Sequence, residues 1–280
     1  MKFALFALVL LALPFAFAKP ASPVGPAAAE ALELQNADIE NFGLRGTKTI
    51  ALTFDDGPGV GTAKILDLLK QYGVKATFFS VGQMAGYHPA LLDRIVAEGH
   101  VLANHSFDHP MLSKLDDDQI FNEIKRTHKL IAPHLKPGAR LYFRAPYGDW
   151  RPNIADKLNA DPDLHDYIGP IYWNIGTKIS RNSEGKLTEA GDWACWRKPP
   201  RGLAPDECLE GYLAKIDSEQ GGVILMHDIH RETADMFEKL LPMLIERGYK
   251  FVTMDDLSML DLYQTMQPLK YSETGKVENF

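Results

Sequence analysis

From Thr49 onward, apolar residues along the chain follow two alternating patterns. Short continuous runs such as "TIALTF" and "KATFFSVG" read as buried strands, because a strand covered on both faces needs no polar alternation. Between them lie segments such as "TAKILDLLKQYG", ending at Gly73, and "PALLDRIVAEG". Their three- and four-residue apolar spacing predicts amphipathic helices, with glycine as the stop. The alternation continues through the strand "HVLANH", the helix "DDDQIFNEIKRTHKLIAPHL", and the strands "ARLYFRAP" and "DYIGPIYWNI". The acids that open the long helix favour its N-terminus through the dipole. After a polar stretch come the helix "PDECLEGYLAKID", the strand "GGVILMHD", the helix "TADMFEKLLPMLIERG" and a last strand "YKFVTM". Strands alternating with helices in this way predict an α/β fold with a parallel sheet. About seven strands over this length suit a barrel, complete or incomplete.

The ends of the chain depart from this pattern. Lys2, the apolar "FALFALVLLALPFAF" and the small-x-small "AFA" ending at Ala18 predict a cleaved export signal over residues 1–18. The apolar stretch is short for a membrane span and Pro20 and Pro23 follow it, so no membrane anchor is expected. Residues 19–46 read as a Pro- and Ala-rich extension, 47–259 as the folded domain and 260–280 as a polar tail. An exported chain works in the periplasm or outside the cell, where the two cysteines, Cys195 and Cys208, default to a disulfide. Closing so short a loop stabilises by roughly 3 kcal/mol in the chain-entropy description. The formal charge of −7 argues against nucleic acid and anionic lipid, both of which attract basic faces. A neutral substrate suits the chain better.

Candidate chemistry gathers where strands end, which is where barrels and open α/β sheets carry their active sites. "TFDDG" closes the first strand with Asp55 and Asp56, and "HSFDH" follows the third with His105 and His109. "FRAPYG" closes the fourth with Arg144, and His227 ends "GGVILMH". Each has a bland reading: a turn, a surface His pair, a structural salt bridge, a core histidine. Four such groups on one rim outweigh those readings. In a helical turn, the four-residue spacing would put His105 and His109 on one face, within reach of one cation. A carboxylate then completes a two-His, one-carboxylate set with positions left for water. Successive side chains on a strand face opposite ways, so one acid of the doublet can ligate while the other acts as base. A cation in such a set lowers the pKa of water to roughly 7. His227 can supply a proton to the leaving group, and Arg144 can pin the base and keep it ionised. Zn²⁺ suits these donors, and Co²⁺, Ni²⁺ or Fe²⁺ also fit.

In this order, "TFDDG", "HSFDH", "RAPYG" and "LMH" resemble the motifs of the polysaccharide deacetylases, carbohydrate esterase family 4, over roughly Thr49 to Leu257. The resemblance implies a distorted (β/α)7 barrel. It also implies metal-dependent removal of N-acetyl groups from β-1,4-linked N-acetylglucosamine in chitin or peptidoglycan. By position it makes Asp55 the catalytic base, Asp56, His105 and His109 the metal ligands, and Arg144 the tether of the base. His227 becomes the general acid and the backbone N–H of Tyr147 the oxyanion donor, with Pro146 and Leu225 on the substrate side. The family's Asp-Trp pair, whose Asp tunes the acid and whose Trp walls the pocket, arrives late here, at Asp192 and Trp193. It ends the drawn-out insert Gly176–Gly191, which with the disulfide should reshape one wall of the groove. Trp173, Trp193 and Trp196 are candidates for stacking on sugars or for the core, and His230 is a candidate for the groove. Two other readings stand beside this one. A glycan-binding barrel without turnover would need neither base nor acid. A metal-dependent esterase or deformylase on another acylated sugar would differ only in its groove walls.

Overall fold

The computed structural model describes residues 42–151, 154–197 and 202–257, so the expected export signal, most of the extension and the tail lie outside it. The first strand, β1 (Thr49–Asp55), is buried along nearly its whole length. Ile50, Leu52 and Phe54 face the helices, and Ala51, Thr53 and Asp55 face the opposite way. Both faces are covered, which is why the run reads as continuously apolar. The helix α1 (Thr62–Tyr72) follows and stops at Gly73, whose φ of 67° is a conformation glycine adopts without strain. Next come β2 (Thr77–Ser80), α2 (Gly82–Tyr87), α3 (Pro89–Ala97) and β3 (Val101–Asn104). The helix α4 (Asp117–Ile131) starts with a reciprocal cap between Asp116 and Gln119. Then follow β4 (Leu141–Tyr142), α5 (Ala155–Ala160), β5 (Tyr167–Ile168), β6 (Ser180–Arg181) and β7 (Leu187–Glu189). The chain continues through α6 (Pro205–Glu219), β8 (Gly222–His227), α7 (Arg231–Glu246) and β9 (Lys250–Val252). Among the described residues no helix is long and apolar enough to cross a membrane.

One edge of β1 pairs with β8 from Ile50 to Asp55; the other takes β9 at Thr49–Ala51 and β2 at Thr53–Asp55. β2 pairs with β3, and a single bridge from Asn104 to Phe143 carries the ring on to β4 and β5. A second bridge, Ile175 to Ile224, returns the segment after β5 to β8 and closes the ring. These pairings are all parallel. With seven parallel strands among the described residues, the fold is the distorted (β/α)7 barrel expected from the alternation.

The structure departs from expectation in its details. The fourth and fifth strands are much shorter than their apolar runs, and pairing in the fifth stops before Gly169 and Pro170. Pro170 has no N–H to give a ladder, and Gly169 lies so close to the Phe143 carbonyl that a Cβ would come within 2.6 Å of it. The short helices α2 and α5 were too brief to show a period. The polar insert contains the hairpin β6–β7, which turns on Asn182, whose side chain accepts the N–H groups of Glu184 and Lys186. Phe42 and Leu44, assigned above to the extension, are buried with Val223 and Met254, so packed chain begins ahead of residue 47.

The alternation of strand side chains decides what the barrel mouth contains. Ala51, Val223, Ala103 and Tyr142 belong to the apolar cluster inside the ring, as does Leu225. Continuing outward along the same parity leads to Thr53 and Asp55 on β1, His227 on β8, His105 after β3 and Arg144 after β4. The interior is therefore apolar below and polar at its carboxyl end.

The turn after β1 is unusually crowded. A Cβ on Gly57 would lie 2.1 Å from Asp228 Oδ1, and that carboxylate is held by the Thr62 hydroxyl at 2.6 Å. Gly57→Ala is expected to lower stability by about 1–3 kcal/mol, the usual range for overpacking. In urea unfolding the midpoint should fall with the slope unchanged; a wild-type midpoint would mean that Asp228 swings aside freely.

Candidate active site

Asp55 and His227 are register partners on neighbouring strands, so the β1–β8 ladder itself sets them side by side. Asp55 is only 2% exposed. The fully buried Arg144 donates from Nη1 to Asp55 Oδ1 (2.7 Å) and to Thr53 Oγ1 (2.8 Å). Its Nε donates to the Ile171 carbonyl (3.0 Å) and its Nη2 to that of Tyr172 (3.3 Å). The guanidinium also lies 4.1 Å from the centre of the Phe79 ring. Burial pushes the Asp55 carboxyl up by more than Arg144 pulls it down, to about 6. Arg144 thus pins the carboxylate as expected, but does not by itself keep it strongly acidic.

Two geometric expectations for the metal-ligand candidates are corrected. Asp56 does not simply alternate to the far face of the strand. The ladder ends at Asp55 and Asp56 has φ 73°, which swings its carboxylate round to the histidines. Its Oδ1 lies 3.2 Å from His109 Nε2 and 3.5 Å from His105 Nε2, while Asp55 Oδ2 is also 3.5 Å from His105 Nε2. Nor do His105 and His109 sit on a helical turn. Ser106 and His109 have φ of 65° and 58°, and the loop doubles back to leave the two rings 5.0 Å apart. Asn104 Oδ1 accepts the Ser106 N–H (3.0 Å), and Ser106 Oγ accepts the His109 N–H (3.1 Å). Glu123 Oε2, reaching from α4, accepts the N–H groups of Phe107 and Asp108 at 2.8 and 2.7 Å.

The protonation pattern shows what this group can hold. His105 Nδ1 is 2.7 Å from the Arg144 carbonyl. A carbonyl only accepts, so Nδ1 carries the proton and the neutral ring turns the Nε2 lone pair toward Asp56. Burial, with the neighbouring His109 charge, holds His105 well below the usual histidine range, and burial lowers His109 too. Asp56 Oδ1 is buried and has no hydrogen-bond donor among the described residues. Acceptor atoms of Asp56, His105 and His109 all lie within 4.8 Å of one another. Converging lone pairs with no proton between them are what a cation relieves, and the donor set fits Zn²⁺ and similar ions.

The acid side of the mouth is built separately. His227 donates from Nδ1 to Asp192 Oδ1 (2.9 Å) and from its backbone N–H to Asp192 Oδ2 (2.8 Å). Burial works against the charged ring, but the Asp192 carboxylate more than reverses that and raises His227 to about 9. Burial likewise favours neutral Asp192, yet His227 and the Thr233 hydroxyl (2.7 Å) hold it below the ordinary carboxylate range. The late Asp192 therefore meets His227 despite the drawn-out insert. The insert loops out and returns, and a disulfide between Cys195 and Cys208 ties its end to α6.

The remaining candidates divide. Tyr147 stands in a left-handed turn (φ 59°, ψ 7°), is 52% exposed, and has its ring centre 4.6 Å from that of His109. Trp193 is 40% exposed, and its backbone N–H donates to Asp192 Oδ1. Pro146 is buried, and Leu225 lies in the barrel interior. Trp173 is a core residue, 9% exposed, above the Arg144 guanidinium at 5.2 Å. Trp196 is half-buried and stacks on His230, with ring centres 4.0 Å apart. The sequence reading passed over Asp228, which burial pushes up to about 7. Its place directly after His227 was the available signal. It also passed over Glu123, Tyr212 and Thr233, whose helix positions carry no mark that distinguishes a buried polar partner from a solvated face.

Comparison with known proteins agrees with this geometry. The family model described as polysaccharide deacetylase matches residues 43–161. The peptidoglycan-N-acetylglucosamine deacetylase of Bacillus cereus is 34% identical over 213 residues, covering 74% of this chain and 67% of that protein. PgdA, the peptidoglycan-N-acetylglucosamine deacetylase of Listeria monocytogenes, is 33% identical over 215 residues, 75% of this chain. The chain spans 39% of the length of that relative. Among solved structures, the peptidoglycan deacetylase PdaC from Bacillus subtilis superposes with a TM-score of 0.56 at 27% identity, covering 82% of this chain and 98% of that one. The matched residues include the strand ends that bear Asp55, His105 and Arg144, and on this likeness of sequence and fold the chain belongs to the polysaccharide deacetylase family.

Proposed function

We propose that the protein is a metal-dependent hydrolase that removes the N-acetyl group from N-acetylglucosamine residues of a β-1,4-linked glycan. One observation carries this reading: a buried carboxylate that titrates near 6 and an imidazolium that titrates near 9 are register partners, beside three converging metal-ligand atoms. Environments that push two titrating groups apart in this way assign a base and an acid. The names of the relatives support peptidoglycan as the glycan, and chitin-type oligosaccharides offer the same linkage and acetamide. The residues 1–18, read as an export signal, would deliver the enzyme to the periplasm or outside the cell, where such a polymer lies.

Asp56, His105 and His109 are the residues that would hold the ion. A divalent cation, with Zn²⁺ the best match and Co²⁺, Ni²⁺ or Fe²⁺ also suited, supplies Lewis-acid activation of water and of the acetyl carbonyl. Asp55, pinned by Arg144, accepts the proton of the water as its oxygen bonds to the carbonyl carbon. The backbone N–H of Tyr147 serves the developing oxyanion. His227 is anchored to Asp192 through Nδ1, which leaves Nε2–H to protonate the glucosamine nitrogen as the C–N bond breaks. Acetate departs and a free amine stays on the sugar. Trp193 and Tyr147 offer exposed rings for stacking on the glycan, with Pro146 and Leu225 beneath the acetyl group.

Acetate release from peptidoglycan and from defined chitooligosaccharides, measured in parallel, tests the reading. A chelator should abolish release and added Zn²⁺ restore it, whereas full turnover by metal-free protein would refute the proposal. Asp55→Asn is expected to lower kcat by about 10²–10⁴-fold with bound metal retained, while Asp56→Asn should lose the metal. The opposite pattern in metal analysis would exchange the two roles. Activity requires Asp55 ionised and His227 protonated, so it should rise with pH through about 6 and fall through about 9. A bound dication favours the unprotonated form of each and moves both limbs lower. Asp192→Asn removes the charge that offsets burial of His227, so the alkaline limb should move toward acid pH; an unmoved limb would dissociate it from His227.

A further inference from the structure

A second tryptophan, Trp196, follows the insert in the turn that carries Asp192 and Cys195. The Trp196 Nε1–H donates to Thr233 Oγ1 at 3.2 Å, and that same hydroxyl donates to Asp192 Oδ2 at 2.7 Å. The Trp196 ring also meets His227 nearly at right angles, with centres 5.1 Å apart. On its other contact, it stacks against His230. Trp196 therefore reaches both members of the acid pair: Asp192 through one hydroxyl, and His227 directly.

The direction of these bonds matters. By accepting from Trp196, Thr233 presents its hydroxyl hydrogen to Asp192. Asp192 Oδ2 then receives two donors, Thr233 and the His227 backbone N–H. Oδ1 receives the His227 Nδ1–H and the Trp193 N–H, the latter at 3.0 Å. The carboxylate is held at both oxygens, and its plane sets the direction of the imidazole. The turn carrying Trp196 is itself fastened by the Cys195–Cys208 disulfide and by the Leu203 N–H bond to the Ala194 carbonyl (2.8 Å). None of these contacts involves Asp56, His105 or His109.

We propose that Trp196 is a positioning residue for proton delivery: acting through Thr233 and by ring contact, it aligns the His227–Asp192 pair with the leaving nitrogen. The inference rests on His227 being the general acid, and it gives the insert a part in the chemistry as well as in the groove wall. Its signature is selective. An amide nitrogen must gain a proton before it leaves, whereas the phenolate of an aryl acetate leaves as the anion. Misalignment of the acid should therefore slow the first reaction and spare the second.

The test compares Trp196→Ala, Trp196→Phe and Thr233→Val with wild type, all metal-loaded, on an N-acetylated chitooligosaccharide and on 4-nitrophenyl acetate. Trp196→Ala should lower kcat on the glycan by about tenfold or more, a fraction of what a general acid contributes, with KM and metal content within about twofold. Ester hydrolysis should stay near wild type. Trp196→Phe keeps an aromatic ring and loses the N–H, so it should fall between; Thr233→Val should match it and add little in the double variant. The two milder variants carry the test if Trp196→Ala fails to fold. Equal losses on both substrates, or an unchanged glycan kcat, would overturn the inference while leaving the deacetylase reading intact. A metal-loaded wild type that releases no acetate from any acetylated glycan would overturn both.

Discussion

The buried pair of Asp55 and Arg144 is the interaction on which the barrel mouth depends. Its cost is high, because two charges leave water. The surroundings offset this with fixed dipoles: Thr53 and the carbonyls of Ile171 and Tyr172 accept three more guanidinium N–H groups. The backbone of the same residue does a second task, since the Arg144 carbonyl fixes the His105 tautomer. One position just after β4 thus orients the proposed base with its side chain and a proposed metal ligand with its main chain. The proton inventory of the site follows from it. His105 can offer Nε2 only because Nδ1 is committed, and Asp55 can titrate near neutrality only because burial outweighs the guanidinium.

The mouth divides into two halves of opposite electrostatic character. Beside Asp56, burial removes protons from His105 and His109 and leaves acceptors facing one another. Around His227, a buried carboxylate that accepts from Trp193, Thr233 and His227 itself keeps a proton in place. Each half also feels the charge of the other: the His227 imidazolium lowers His105 and His109, and the Asp56 and Asp55 carboxylates raise His227. They meet through backbone: the Asp228 N–H reaches the Asp55 carbonyl at 3.3 Å, and the Asp228 carbonyl accepts the Gly61 N–H at 3.0 Å. Functional groups placed on paired strand ends are held more closely than groups on free loops.

Much of this was legible in the chain because strand periodicity is a strong signal. Knowing that a buried strand ends in Asp55, or in His227, already places the side chain at the carboxyl end of a parallel barrel. The order of motifs then suggested the roles proposed above. The bends escaped notice. Asp56, Ser106 and His109 adopt positive φ without being glycine, and no residue type announces that. Regular geometry was therefore assumed for the doublet and for the histidine pair, and the right partners were reached by the wrong local conformation. Glu123 was hidden for a different reason: a carboxylate on a helix resembles a solvated one until its backbone partners are seen. Phe42 and Leu44 were lost in the composition of the segment before them.

The insert shows how a family site can be kept while its surroundings change. Asp192 is reached after a hairpin rather than by a short connection, yet its carboxylate still meets His227 at both oxygens. That requires the longer path to be anchored elsewhere, and the anchors are visible. Glu189 accepts the Thr177 N–H at 3.0 Å, Tyr212 accepts the Asp192 N–H at 3.1 Å, and the disulfide joins the returning turn to α6. The chemistry is thereby insulated from the length of the connection. The exposed face of the same connection, with Ile179 and Trp193 among its open side chains, is free of these packing constraints. Asp192 and Trp193 are adjacent in sequence, but one is buried against His227 and the other open to solvent, so they answer to different constraints.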